Sequence, residues 1–271
     1  MGITKLHGRL KPLSRDVDIT AYAGLAVGVD ASAWLHRAYH GARAAGTYET
    51  LALAARVGLF FTDYVHALTS RNVRVVLVFD GRGPEVKKTV ASARAPRPRG
   101  GCPFAFAPAA KAAAAAAGAT CVQAVGEADA DLAALARRGE VCCVLTDDCD
   151  LVAMGCPRCL FAAKLAAGPD GAPTLIGSEF ELRALGASGA FLGWPRERFV
   201  AFCVACGCDY VKNVPGVGPV RALALSEGAT GDGVLARLLA EPRCPAGYGD
   251  AFRAAVCLYT GGGLTNDALG G

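Results

Sequence analysis

The sequence predicts an α/β fold with a mostly parallel central sheet flanked by helices. Three short β-rich runs each end in an acid: "GLAVGVD" at Asp30, "VRVVLVFD" at Asp80 and "VCCVLTDDCD" through Asp150. Segments of helical character lie between them. The strands are apolar along their length instead of alternating, as expected of a parallel sheet covered on both faces. In such sheets ligands bind beyond the carboxyl ends of the strands, where these acids fall.

Taken in order, the run to Asp30 is the first strand, and "ETLALAARVGLFFTDYVHAL" reads as the helix that leads to the second, ending at Asp80. The stretch "RAPRPRGGCPFAFAP" (94–108) holds four prolines and a Gly pair and reads as an irregular connection. "PAAKAAAAAA" is of low complexity but rich in the best helix former, so it reads as a helix, as does "EADADLAALARR" before the third strand. Beyond about residue 175 the chain reads as helical, and its last residues, "GGGLTNDALGG", as a frayed end.

With 271 residues, 53% of them hydrophobic, the chain can bury one sizeable core. The net charge of +4, from 28 basic and 24 acidic residues, sets up no global field that by itself dictates a nucleic-acid partner. No run is expected to span a bilayer, and the start lacks a secretory pattern. Twelve cysteines without an export signal read as reduced thiols of the cytosol or nucleus. Cys156/Cys159 and Cys203/Cys206 have the C-x-x-C spacing of zinc ligands, set against the plainer reading of cysteine as a small core residue.

The densest chemistry is "LTDDCDLVAMG". On an extended chain Asp148 and Asp150 share a face and Asp147 turns away. Crowded carboxylates at a partly buried point force one to take a proton, unless a divalent cation lets all stay ionised. Oxygen-only donors suit Mg²⁺ or Mn²⁺. Asp30 and Asp80 end strands and can join this pocket. Glu127 and Asp129 are expected where a strand passes into a helix, at the positive end of its dipole. Lys87, Lys88 and Arg94 follow Asp80, with Lys87 and Arg94 on one helix face, placed to clamp a phosphodiester. Asp209 precedes Gly216-Val217-Gly218 and Arg221, a helix–glycine turn–helix pattern that aims backbone N–H groups at a phosphate. For each of these residues alone, a cap, a solvated charge or a tight turn is the competing explanation.

Taken together, these motifs resemble the flap endonuclease/XPG family of structure-specific 5′ nucleases, and most its mismatch-repair 5′-exonuclease branch. The likeness runs through "MGI", "VDASAWLHR", "VFDGRGPEVKK", "GEADADLA", "LTDDCDLVAMGC" and "GCDYVKNVPGVGPVRA", in the family's order. The resemblance implies a PIN-like sheet with a C-terminal helix–two-turn–helix element, arranged as a single nuclease domain. Within it, regions 1–95 and 109–200 form the nuclease, 96–108 a shortened arch, 201–230 the DNA-binding element and 231–271 a C-terminal helical segment.

The resemblance also implies that Asp30, Asp80, Glu127, Asp129, Asp148, Asp150 and Asp209 bind two Mg²⁺ ions, which Mn²⁺ can replace, and that Lys87 and Arg94 steer the phosphate. Gly216, Gly218 and Arg221 would grip duplex backbone through K⁺. Gly2, His36 and Lys88 would lie against DNA carrying a 5′ end, a flap or a single/double-strand junction. Ser32 stands where a relative has a stacking aromatic. The expected protein is a nuclear monomer of DNA repair or replication, with no sliding-clamp motif and no membrane partner. An RNA-cleaving PIN-like nuclease and an inactive branched-DNA-binding paralogue are the alternatives.

Overall fold

The computed structural model describes residues 2–81, 103–187 and 189–261. Lys87, Lys88, Arg94, most of the expected arch and the C-terminal glycine-rich end lie outside the described residues. Seven strands form one sheet: β1 (Arg15–Asp18), β2 (Ala26–Asp30), β3 (Arg74–Phe79), β4 (Thr120–Gln123), β5 (Cys143–Thr146), β6 (Arg158–Ala167) and β7 (Pro173–Glu181). Their order is β1-β7-β6-β5-β2-β3-β4, and β7 alone runs against the others.

The two faces are packed by two separate sets of side chains. Val75, Leu77 and Phe79 of β3 enter one core while Val78 enters the other, as the two-residue period of a strand requires. The first core is closed by helices α2 (Ala31–Ala44), α3 (Thr50–Thr69) and α4 (Ala107–Ala116), while α1 (Leu6–Leu10) and α5 (Ala128–Arg137) pack on the opposite face, in the second core. The α5 face also takes α6 (Asp150–Ala153), α7 (Arg196–Ala205), α8 (Pro219–Ser226), α9 (Gly231–Leu239) and α10 (Tyr248–Thr260). Gly28 lets α5 come close: a Cβ there would lie 2.8 Å from Leu132 Cδ2.

Three expectations are corrected. The chain beyond 175 does not turn helical at once, because 173–181 forms β7, paired in a hairpin with β6. The strand before the acidic cluster ends at Thr146, so Asp148 lies in a turn and Asp150 opens α6. Among the described residues one helix, α3, is by length and composition apolar enough to cross a membrane, against the expectation that no run is. Its Leu53, Val57, Phe61, Tyr64, Val65 and Leu68 recur every three or four residues and are buried in the core, which accounts for its apolarity. Each such fully buried side chain stabilises the fold by roughly 1.5–3 kcal/mol.

The expected boundary at 200/201 falls inside α7. Cys156, Cys159, Cys203 and Cys206 are all in the core. The first two hydrogen-bond to each other, and burial pushes Cys206 up to about 12. Among the described residues, the group of metal-capable side chains close enough to share an ion contains no cysteine.

Candidate metal centre

The carboxyl ends of β2, β3, β4 and β5 converge on one side of the sheet. Connections from β2 to β4 add strands on one side of β2, and the chain then crosses over through α5 to place β5 on the other, so a crevice opens between β2 and β5. Asp30 ends β2 and caps α2: its Oδ1 accepts from Ser32 N (2.9 Å) and Ala33 N (3.1 Å). Its Oδ2 accepts from Thr146 Oγ1 at 3.0 Å, and the same Thr146 oxygen accepts from Asp148 N at 3.0 Å. One threonine thus ties the end of β2 to the turn after β5. Burial, reinforced by Asp80 and Asp148, pushes the Asp30 carboxyl up to about 6 even against the bonds it accepts.

Asp148, Asp150 and Asp209 are buried, and one oxygen from each lies within 4.8 Å of the others. Asp148 Oδ1 accepts from Asp150 N at 3.0 Å, a local turn that fixes both side chains. Gly2, at φ +78°, closes on this pair: a Cβ there would lie 1.9 Å from Asp148 Oδ1 and 2.5 Å from Asp150 Oδ1. Thr4 N and Oγ1 both donate to Gly207 O, at 3.1 and 3.3 Å, which holds the N-terminal segment against the loop that carries Asp209.

Asp80 accepts from Ser32 Oγ at 2.5 Å and from Ala128 N at 2.8 Å, so it reaches the start of α5. Glu127 is the cap residue of α5 and Asp129 lies in its first turn, where strand-to-helix passage was expected. Asp147 turns out of the cluster: its Oδ2 pairs with Arg37 at 2.5 Å and its Oδ1 accepts from Ala162 N at 3.1 Å. A cleft of about 310 Å³ adjoins the acids, lined by Asp30, Ala33, His36, Arg37, His40, Asp147 and Asp148. In it the His36 and His40 rings stack at 5.8 Å, and Phe104 meets His36 edge-on at 5.5 Å.

The glycine turn lies further along the chain. Gly216 has φ +89° and Gly218 caps α8 with ordinary extended backbone. Arg221 does not face outward alone, since its guanidinium holds Glu241 at 2.8–3.2 Å.

Sequence reasoning passed over Thr146, Arg37, His40, Tyr210 and Tyr259. Tyr210 follows Asp209 directly and donates to Glu127 Oε2 at 2.6 Å, so adjacency was a usable signal. Tyr259 donates to Asp150 Oδ2 at 2.8 Å across 109 positions, and no local pattern marks it.

Buried oxygen donors gathered at strand ends fit a hard divalent cation, and nothing softer than oxygen stands among the three grouped ligands. Such a sheet and site define a PIN-like α/β protein. The chain belongs to the flap endonuclease/XPG family: the XPG N-terminal domain matches residues 1–99 and the XPG I-region matches 118–209. It is 31% identical over 248 residues to a flap endonuclease 1 homolog of Danio rerio, covering 87% of this chain and 66% of that protein. To exonuclease 1 of Danio rerio it is 28% identical, covering 87% of this chain and 31% of that protein. The chain therefore spans under two thirds of the first of these relatives and about a third of the second.

Among solved structures, the catalytic core of Rad2 in complex with DNA substrate superposes with a TM-score of 0.69 at 17% identity, covering 98% of this chain and 83% of that one. The Holliday junction-resolving enzyme GEN1, in complex with product DNA and Mg²⁺, gives 0.62 at 19% identity, covering 94% of this chain and 64% of that one. At these identities the likeness is one of fold.

Proposed function

We propose that this chain is a divalent-metal-dependent nuclease that hydrolyses DNA phosphodiester bonds at 5′ ends, flaps or junctions. The observation that carries this reading is the meeting of Asp148, Asp150 and Asp209 within 4.8 Å at the mouth of the sheet. These three, with Asp30, Asp80, Glu127 and Asp129 around them, would hold Mg²⁺, as one or two ions and with Mn²⁺ as a substitute. Bound there, the cation supplies a water of lowered pKa and offsets charge on the phosphate.

The protein's own groups arrange that chemistry. Thr146 and Ser32 hold the Asp30 and Asp80 carboxylates in fixed orientations, and Thr146 also anchors the backbone N–H of Asp148, so little reorganisation is needed as charge develops. The cleft lined by His36, Arg37 and His40 would receive a nucleotide beside the acids. Lys87, Lys88 and Arg94 follow Asp80 in sequence and would offset phosphate charge. The turn at Gly216–Gly218 with Arg221 would hold duplex backbone, through a K⁺ ion bound at that element. For Arg221 that role requires release from Glu241, or action of the pair together. The reading extends to a monomer working without a sliding-clamp motif, in the nucleus, in DNA repair or replication.

The test is a panel of 5′-labelled and 3′-labelled flap, nicked and blunt DNA duplexes, with matched RNA versions, incubated with Mg²⁺ and read for product length. Cleavage near the 5′ end of the DNA substrates is expected. Preferred cleavage of RNA, or junction binding with no product in either Mg²⁺ or Mn²⁺, contradicts the proposal.

A further inference from the structure

We infer that Tyr259 is a positioning residue for the Asp150 carboxylate, and that through it α10 completes the metal centre; the inference rests on the metal-centre reading above. Tyr259 is 1% exposed, and its hydroxyl donates to Asp150 Oδ2 at 2.8 Å. The other oxygen of Asp150, Oδ1, lies with Asp148 Oδ1 on the Gly2 side. A donor fixed to Oδ2 therefore sets which oxygen faces the centre.

The same residue is held a second way. Arg196 Nη2 donates to Tyr259 O at 3.3 Å and to Ala153 O at 3.0 Å, the last residue of α6. A four-residue helix has almost no stability of its own, so tertiary contacts decide where α6 stands. Here both of its ends are tied to one residue of α10: the carboxylate at its start by the phenol, and the carbonyl at its end through Arg196. The Tyr259 ring also meets Tyr210 edge-on at 5.2 Å, and Tyr210 donates to Glu127 at 2.6 Å. Removing a group that orients a metal-binding side chain typically weakens metal binding about 10- to 100-fold.

A control stands on the same helix. The Tyr248 hydroxyl is buried and finds no hydrogen-bond partner among the described residues. Mn²⁺ alone is titrated into wild type, Tyr259→Phe and Tyr248→Phe, with free Mn²⁺ followed by electron paramagnetic resonance and folding checked by thermal melts in EDTA. Tyr259→Phe is expected to bind Mn²⁺ at least ~10-fold more weakly, and Tyr248→Phe within about twofold of wild type. A second pair, Tyr259→Gln and Tyr259→Leu, compares a side chain that keeps an N–H donor with one that does not, and the Gln variant is expected to bind more tightly. Tyr259→Phe binding as wild type does, or equal affinities in the Gln and Leu variants, overturns the inference while leaving the metal centre standing. A wild type that takes up no Mn²⁺ overturns the metal centre, and the inference with it.

Discussion

Asp147, Asp148 and Asp150 lie within four consecutive positions and do three different things. Asp147 leaves the cluster for Arg37 and the backbone of Ala162, Asp148 faces the centre while shaping a turn, and Asp150 opens a helix and is held by a distant tyrosine. The division between Asp147 and the other two was legible from strand alternation, but the strand was the wrong cause: a turn achieves the same separation. Gly2 is the most constrained residue at this scale. A side chain there has to adopt a φ of +78°, which costs roughly 1–2 kcal/mol for an L-residue, and meets Asp148 Oδ1 at 1.9 Å. Gly2 belongs to none of the strands, so its segment can shift aside without breaking the pairing of the sheet. Gly2→Ala is therefore expected to slow metal-dependent cleavage ~10-fold or more with a Tm close to wild type, checked by initial rates beside a thermal melt. A wild-type rate would show that Gly2 does not need to lie where it does.

At the scale of elements, α3, α4, α5 and strands β2, β3 and β5 were readable because apolar runs and alanine-rich stretches agreed with the packing they entered. The β6–β7 hairpin was not. Its first strand, "RCLFAAKLAA", is made largely of helix formers, and pairing with β5 and β7 overrides that local preference. The register slips between Phe161 and Lys164, where Ala162 takes φ 52° and offers its N–H to Asp147, so the irregularity that hides the strand also serves the site.

The turn of this hairpin is held to the end of α3 by the Arg71 fork on Asp170, at 2.5 and 2.6 Å. The Arg71 bond, helped by Ala172 N, draws the Asp170 carboxyl down to about 2 from 3.8. A carboxyl lowered on folding adds stability above its unfolded value and loses it as pH falls toward the folded one. Asp170→Asn should accordingly lower Tm by no more than about 2 °C at pH 7, since exposed pairs contribute little, and the gap should close between about pH 4 and pH 2. Melts of the two proteins across that range decide it, and a gap unchanged at pH 2 rules out the ion pair as its source.

For the whole molecule, the order of the acids along the chain pointed to the candidate site because Asp30 and Asp80 stand at strand ends and Glu127, Asp129 and Asp150 at helix starts, and a parallel sheet gathers such ends at one crevice. What the sequence could not reveal is the scaffolding behind them. Thr146 bridges two strands, and Tyr259 reaches Asp150 from the far end of the chain, so both depend on the finished fold. Lys87, Lys88 and Arg94 fall outside the described residues, and their part in the account rests on the sequence pattern.

The central claim is that the gathered carboxylates carry a metal-dependent cleavage of DNA. It is tested most directly by measuring Mg²⁺-dependent cleavage of a 5′-labelled flap duplex by wild type, Asp148→Ala and Asp150→Ala, with binding of the same duplex measured in parallel. The account predicts robust wild-type cleavage, a loss of at least ~100-fold in each variant, and binding within a few-fold of wild type. Cleavage by either variant at the wild-type rate would contradict it.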